Sequence, residues 1–236
     1  LLACGIFVVT AVAANRRGVP DPKRKESGTG GFALIAETAA PVERDWRERL
    51  EVSELSGARF AAFRVLAGDD ASCLNLNRVR QPRILAVDPG SLRGSFRFVA
   101  FVGAGPQDPW SILDLDLGPN TIPAAADQSV ITWGLGLRLG DELEYRGERG
   151  ETLRVRLVAG LANSIFQGSL IVSERTLLRH FPSAGGYRLF LVETPQAQTA
   201  EGMLNRLWAR YGVSVVSAAE RLAEFNSVEN TYLAIY

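Results

Sequence analysis

The chain opens with a run of 14 uncharged, mostly apolar residues, and this run limits how the rest of the chain can be arranged. Leu1 to Ala14 reads LLACGIFVVTAVAA, and Asn15-Arg16-Arg17 follows at once. A membrane-spanning helix needs about 20 apolar residues, so we expect residues 1–17 to be the end of a transmembrane helix. The last residues, 231–236 (TYLAIY), are apolar again. The sequence therefore predicts a globular domain held between two membrane segments.

Two other interpretations of the opening run stay open. The apolar core of a secretory signal peptide, about 7 to 15 residues long, would also fit. A lipoprotein site at Leu1-Leu2-Ala3-Cys4 is a third interpretation, although the residues after Cys4 are apolar where such sites are usually polar. Residues 16–25 carry five Lys and Arg, which would favour a cytoplasmic position for that flank. Long domains cross membranes largely regardless of such charges, so an extracytoplasmic domain remains our expectation.

The composition is that of a globular protein and excludes some classes of function. Hydrophobic residues make up 47% of the chain and charged residues 22%, as in ordinary folded domains. The 26 basic residues balance 26 acidic ones, so the chain has no overall attraction to polyanions and we expect no nucleic-acid partner. Cys4 lies in the apolar run and Cys73 in the globular part, and we expect no disulfide between them.

The globular part begins with a predicted strand–helix–strand unit. Residues 32–36 and 58–66 are apolar or alternating and predict two strands. Residues 43–55 predict a helix with Trp46 and Leu50 on one face. From residue 83 to 161 the pattern changes to short strands separated by turns. The predicted strands there contain the segments RILAVD, SFRFVAFVG, SVITW, ELEYRG and TLRVRLVAG.

The C-terminal part predicts a second unit of strands and helices. Ser173 can cap a helix that ends at His180, and the next helix has apolar residues spaced i, i+3, i+4, i+7, i+8 and i+11 from Ala200 to Tyr211. Gly212 ends that helix. The predicted strands are 169–172, 187–193 and 213–216.

A capping box opens the last predicted helix. Ser217-Ala-Ala-Glu220 has the Ser and Glu spacing that satisfies the first free N–H groups of a helix. We expect this helix, which includes Phe225 and Glu229, to run to the end of the chain. Its position makes it the natural coupling element between the domain and a following membrane segment.

These elements predict an α+β fold with a split organisation. A strand–helix–strand lobe formed by the two ends of the domain would carry an inserted, mainly-β lobe. The expected parts are a membrane helix end (1–17), a linker (18–31), the lobe (32–82 with 183–220), the inserted β lobe (83–182) and the final helix (221–236).

Motifs with catalytic or metal-binding potential are weak in this sequence. The glycines from Gly134 to Gly140 depart by one residue from a dinucleotide-binding pattern and are expected to form a turn. Asp114-Leu-Asp116-Leu-Gly118 begins like a calcium loop but lacks the glutamate, and alternating strand residues are expected instead. His180 is the only histidine and is expected to lie at a helix C-terminus. We therefore expect no enzyme, no metal site and no cofactor site in this chain.

One polar segment is a possible contact loop. Residues 68–78 (GDDASCLNLNR) place carboxylates, a thiol, amides and an arginine together after a strand. A loop stabilised by its own Asx hydrogen bonds is the simpler interpretation, and a contact or ligand site is the alternative. The candidate contact residues are Asp69, Asp70, Cys73, Asn75, Asn77 and Arg78.

Several segments occur in an order that matches a known family. Residues 133–141 (WGLGLRLGD), a hairpin with residues 153–161, and residues 166–173 (FQGSLIVS) follow one another. They resemble the "G-lk-v-GD … f-V-v-G" core of FtsX-like, MacB-type ABC transporter permeases. The similarity covers most of residues 28–236, including GTGGFALI at its start and FNSVENTY near its end.

The resemblance implies an extracytoplasmic domain between the first two membrane helices of a permease in the cell inner membrane. Family members act as dimers, so the expected partners are a second permease copy, a cytoplasmic ABC ATPase that binds the ATP, membrane lipid, and an envelope protein or lipoprotein. No catalytic residue is carried over. The alternative function is a secreted or lipid-anchored binding module. A further apolar run of about 20 residues after Tyr236 would favour the permease, and a stop codon there would favour the module.

Overall fold

Ten strands form one mixed sheet in the structure, a computed structural model that describes residues 24–43, 45–51, 55, 57–68 and 81–235. The strands are β1 (Leu34–Val42), β2 (Arg59–Leu66), β3 (Arg83–Val87), β4 (Phe98–Phe101), β5 (Thr121–Asp127), β6 (Glu142–Arg146), β7 (Thr152–Leu161), β8 (Ser169–Ser173), β9 (Tyr187–Glu193) and β10 (Val213–Ser217). Their order is β10-β1-β9-β2-β3-β8-β5-β7-β4, and β6 also pairs with β7. With the helices that follow, this confirms the α+β class.

Four α-helices accompany the sheet within the described residues. They are α1 (Trp46–Glu51), α2 (Glu174–His180), α3 (Ala197–Leu207) and α4 (Ala218–Ile235). Trp46 and Leu50 are both buried on α1, as their spacing predicted. Gly212 has a φ of +64°, the left-handed conformation that suits glycine at the end of a helical segment.

Side-chain alternation along the strands builds cores on both faces of the sheet. Within β9, Leu189 and Leu191 enter one core and Phe190 and Val192 enter another. The first of these, which we call the central cluster, extends across the sheet and includes Phe32, Ile35, Phe63, Leu85, Phe166, Leu191 and Leu222. On the opposite face, one cluster lies under α1 and α3. A third cluster fills the space between β3, β5, β6, β7 and β8.

The segment SVITW was predicted as a strand, and this prediction is wrong. Residues Val130–Gly134 form a π-helical turn in which the N–H of Leu135 donates to the carbonyl of Val130 at 2.9 Å. The β-branched residues suggested a strand. The carboxylate of Asp127, however, accepts hydrogen bonds from the N–H and the hydroxyl of Ser129, which turns the chain as β5 ends.

One central strand was missed in the sequence. Strand β5 has the sequence TIPAAAD, is almost entirely buried, and lies between β7 and β8. Three alanines and a proline give no alternating pattern, and proline argues against a central strand. Its strand conformation comes from the partners on both sides.

Residues 114–118 do not alternate along a strand as predicted. A 3-10 helix occupies Pro109–Asp114, and the side chain of Asp108 accepts a hydrogen bond from the N–H of Trp110 at its start. Ser173 precedes α2 as expected, but its hydroxyl donates to Asp114 at 2.8 Å and makes no hydrogen bond with the helix backbone. The proposed division into two lobes stays a prediction, and β2 of one part pairs directly with β3 of the other.

Among the residues that the structure describes, Arg64 is the largest charged side chain in the interior, with a relative exposure of 1%. Its guanidinium donates to Glu174 at 3.1 Å and to the carbonyl of Ala184 at 2.8 Å. It also stacks 4.6 Å from the ring centre of Tyr187, whose hydroxyl donates to Glu174 at 3.1 Å. This network joins β2, α2 and β9 through one buried cation.

Removal of the carboxylate of this network should destabilise the fold. Glu174→Ala leaves the buried Arg64 without its anion, and we expect the free energy of unfolding to fall by about 3 kcal/mol. Glu224→Ala is the matched control, because Glu224 is exposed and pairs with Arg221 at 3.5 Å, and we expect a loss of at most about 1 kcal/mol. Denaturant unfolding of both variants measures the difference. Equal losses would contradict the role of the buried pair.

The same network predicts a pH dependence at the alkaline end. Burial, with the carboxylate of Glu174 adding to it, raises the pKa of Tyr187 above its ordinary value. Above about pH 10 the unfolded chain ionises this tyrosine first, so the free energy of unfolding should fall as the pH rises. Tyr187→Phe should make that fall shallower. Unfolding curves of both proteins between pH 8 and 11 test this, and identical slopes would contradict it.

Candidate functional site

The predicted contact loop lies outside the described residues. Asp69, Asp70, Cys73, Asn75, Asn77 and Arg78 all fall in the range 69–80, so their role stays a prediction. The described residues on either side show what the loop connects. Strands β2 and β3 pair antiparallel, with Leu66 opposite Ile84, so the loop joins two neighbouring strands at one end of the sheet.

The base of this loop is fixed by close contacts. A Cβ atom on Gly68 would lie 2.4 Å from the N of Arg83 and 2.4 Å from the carbonyl oxygen of Gln81, so only glycine fits there. The hydroxyl of Tyr145 donates to the carbonyl of Pro82 at 2.7 Å, and the side-chain amide of Gln81 donates to the carbonyl of Glu144 at 3.1 Å. The loop therefore starts and ends at a rigid point beside β6.

The predicted coupling helix is present as α4, and it follows β10 directly. Ser217 is the last residue of β10 and pairs with Leu34 of β1. The N–H of Ala218 donates to the carbonyl of Ala33 at 2.9 Å. The hydroxyl of Ser217 accepts from the N–H of Glu220 at 3.4 Å, which is one of the two hydrogen bonds of the predicted capping box. The strand by which the chain enters the sheet and the strand by which it leaves are thus neighbours.

The first turns of α4 pack into the central cluster. Ala218 and Leu222 have relative exposures of 0% and 1%, and Asn226 has 5%. Arg221 and Phe225 border a cleft of about 150 Å³ between the helix and the sheet. An ion pair on the sheet side of this cleft joins Glu37 and Arg83 at 2.7 Å. The cleft is also lined by Ile35, Leu85, Ile165, Leu189 and Leu191.

Residues 24–33, which we call the N-terminal segment, pack against α4. A Cβ atom on Gly28 would lie 2.5 Å from the Cδ2 atom of Leu222 and 2.0 Å from the carbonyl oxygen of Asn163. The carbonyl of Gly28 accepts from the N–H of Ile165 at 2.9 Å. The backbone therefore passes so close to the helix that no side chain can be accommodated. The segments that lead into and out of the sheet touch each other at this glycine.

Trp133 is a surface feature that the sequence analysis missed. It lies on the π-helical turn and has a relative exposure of 84%. Apolar segments such as SVITW usually bury their large residues. The prediction of a strand over this segment therefore gave no reason to expect an exposed Trp133. Trp is the residue type most enriched at the energetic centres of protein interfaces. Trp133 is therefore a second candidate contact point, separate from the predicted loop.

The groups considered for catalysis or metal binding have structural partners. His180 ends α2, and its Nδ1 atom lies 3.4 Å from the carboxylate of Glu151. The pKa of Glu151 is lowered, chiefly by a hydrogen bond with its own backbone N–H, and the His180 side chain adds to this. Asp114 pairs with Arg175 at 2.9 Å, and Asp116 accepts from the N–H of Gly118 at 2.9 Å. Among the described residues, no group of three or more His, Cys, Asp or Glu side chains could hold a metal ion.

The coupling role assigned to α4 from the sequence stays a prediction. Its residue Phe225 is partly buried, and Glu229 belongs to the same helix. Within the part of the chain that the structure describes, no helix combines the length and the apolar character needed to cross a membrane. The expected membrane segment at residues 1–17 lies outside that part.

Comparisons with known proteins find several similar solved structures, two of which follow. The extracellular domain of the noncanonic ABC-type transporter YknZ from Gram-positive bacteria is 13% identical, with a TM-score of 0.42, and the match covers 78% of this chain and 99% of that domain. The periplasmic region of MacB from Actinobacillus actinomycetemcomitans is 10% identical, with a TM-score of 0.41, and the match covers 86% of this chain and 95% of that region. No family model and no curated protein matches the chain. At these identities and TM-scores, neither match assigns a role to any residue of this chain.

The contact at Gly28 predicts the effect of one added methyl group. Gly28→Ala must displace both the backbone at Asn163 and the side chain of Leu222, and we expect the free energy of unfolding to fall by about 1–3 kcal/mol. We also expect faster amide hydrogen exchange in the first turns of α4. Gly57→Ala is the matched control, because a Cβ atom there would meet nothing within 4 Å. Identical behaviour of the two variants would show that the N-terminal segment does not hold the helix.

Proposed function

We propose that this chain is an extracytoplasmic domain of an ABC transporter permease subunit and that α4 relays motion between the membrane and the domain. The role is mechanical and not catalytic. ATP would be bound and hydrolysed by a separate cytoplasmic subunit. The motion would serve export, lipoprotein release or the regulation of an envelope partner.

The observation that carries this proposal is the direct passage from β10 into α4. Neighbouring chain ends are common in domains, so their proximity alone is weak support. Here, however, no linker residue separates Ser217 at the end of the strand from Ala218 at the start of the helix. The helix is 18 residues long, or about 27 Å, and its first turns are buried in the central cluster. A displacement of the far end of α4 would therefore be transmitted to the sheet and not absorbed by a flexible connection.

Two further observations support the proposal. The N-terminal segment contacts α4 at Gly28, so movement of either segment would displace the other. The motifs that resemble FtsX-like permeases extend over most of the chain and include residues of both segments. A secreted or lipid-anchored binding module, with the 68–78 loop as its contact site, is the alternative that the following experiment separates.

The first experiment identifies what the protein is bound to. The full-length tagged protein is purified from membranes in mild detergent, and the proteins that come with it are identified by mass spectrometry. We expect an ABC-type ATPase in stoichiometric amount. Recovery in a soluble extracytoplasmic fraction without an ATPase would overturn the permease and support the binding module.

A proline in α4 tests the relay itself. Glu229→Pro removes a backbone hydrogen bond within the helix and kinks it, at a cost of about 3 kcal/mol. We expect the variant to assemble with the ATPase and to hydrolyse ATP, but to fail to rescue a deletion strain. Glu229→Ala is the control, because it keeps the helix and should rescue fully. Rescue by the proline variant would overturn the relay.

A further inference from the structure

The free edges of the sheet differ in how they are protected. Native sheets shield exposed edges with charged side chains, bulges or covering helices, because unpaired backbone groups attract other strands. Strand β10 has α3 and α4 against it. Strand β6 presents Glu142, Glu144 and Arg146 as exposed side chains. Both of these edges are shielded in the expected ways.

Strand β4 has little of this protection. From Phe98 to Pro106 the sequence FVAFVGAGP carries no charge. Val99 and Val102 are 45% and 38% exposed, which is unusual for large apolar side chains in this protein. Within the described residues, β4 pairs with β7 alone. The edge therefore combines an uncovered backbone with an apolar surface.

The backbone hydrogen bonds show which residue of β4 is available for pairing. The N–H of Val102 donates to the carbonyl of Val158 in β7 at 2.9 Å, and Phe101 lies opposite Ala159 of the same strand. Because backbone groups alternate in direction along an antiparallel strand, the N–H and the carbonyl of Phe101 face outward. A register shift between Phe98 and Ala100 limits the regular edge on one side, and Gly103, with a φ of +76°, limits it on the other.

We propose that this edge pairs antiparallel with the same edge of a second copy of the chain, with Phe101 opposite its counterpart on a two-fold axis. Two-fold contacts require a surface that is complementary to itself. In this register Ala100 of each copy lies opposite Val102 of the other, and both side chains are apolar. No charge faces a like charge, since the two copies of Arg97 are eight residues apart along the paired strands, or roughly 27 Å.

The short length of the edge favours a second copy over a free peptide. The few residues from Ala100 to Val102 bury far less than the area of about 1,200 Å² that stable interfaces need. Such an edge cannot hold a partner that arrives from solution. It can form between two copies already held side by side, because tethering greatly raises their effective concentration. This inference rests on the proposed function, to which it adds a second permease copy in the same membrane complex as the partner.

Cysteine cross-linking in the intact membrane tests the pairing. Cys4→Ser and Cys73→Ser first remove the two cysteines of this sequence from the full-length protein. Phe101→Cys is then added, and isolated membranes that contain this variant are treated with an oxidant. Directly opposite residues in an antiparallel pair have Cα atoms about 4.5–5.5 Å apart, which suits a disulfide. We expect Phe101→Cys to give at least five times more covalent dimer than Val99→Cys. The two copies of Val99 would be four residues apart along the strands, or roughly 14 Å, although this position is well exposed.

A second pair of variants keeps the test decisive if Phe101→Cys does not fold. Ala100→Cys and Val102→Cys are co-expressed with different tags, and the mixture should give a covalent heterodimer that neither variant gives with itself. Equal yields at positions 99 and 101, or no cross-link in either design, would overturn the edge pairing. Co-purification of the ATPase is measured separately. A complex that contains the ATPase but gives no cross-link refutes this inference and leaves the proposed function intact.

Discussion

The central cluster is the packing arrangement on which the other features of this protein depend. It runs along one face of a sheet that has cores on both faces, and it receives side chains from early and late parts of the chain. Phe32 of the N-terminal segment and Leu222 of α4 belong to it together with Phe63 and Phe166. Burial of apolar surface contributes the main favourable free energy of folding. The segments that lead into and out of the sheet are therefore held by the same core that holds the strands.

The position of α4 follows from this packing. Its first turns could have projected away from the sheet, but Ala218 and Leu222 are buried, and Gly28 brings the N-terminal segment against them. Arg64 plays a related part on the other side of β2, where one buried cation joins α2 and β9. Both features join elements from different parts of the chain into one connected body. A connected body suits a domain whose proposed work is to receive and pass on motion.

Much of the fold could be predicted from local patterns. The alternation of apolar residues predicted that β7 is a strand, and the apolar face predicted that α3 is a helix. Gly212 correctly indicated the end of a helical segment, and Ser217 the start of α4. The candidate site was less accessible. The polar composition of residues 68–78 indicated a contact loop, and those residues lie outside the described part except for Gly68. The exposure of Trp133 could not be predicted from the sequence. The same apolar segment can bury its large residue or expose it, depending on how the surrounding chain folds.

The sequence by itself determined where most strands and helices form, because caps, turns and periodicity act between residues a few positions apart. Only the tertiary structure decided that TIPAAAD is a central strand, since its hydrogen bonds come from β7 and β8. The turn at Val130–Gly134 likewise depends on the side chain of Asp127 at the end of that strand. The meeting of Gly28 with Leu222 joins residues that are far apart in the chain. Such contacts cannot be inferred from local pattern, because they depend on how the whole sheet brings distant segments together.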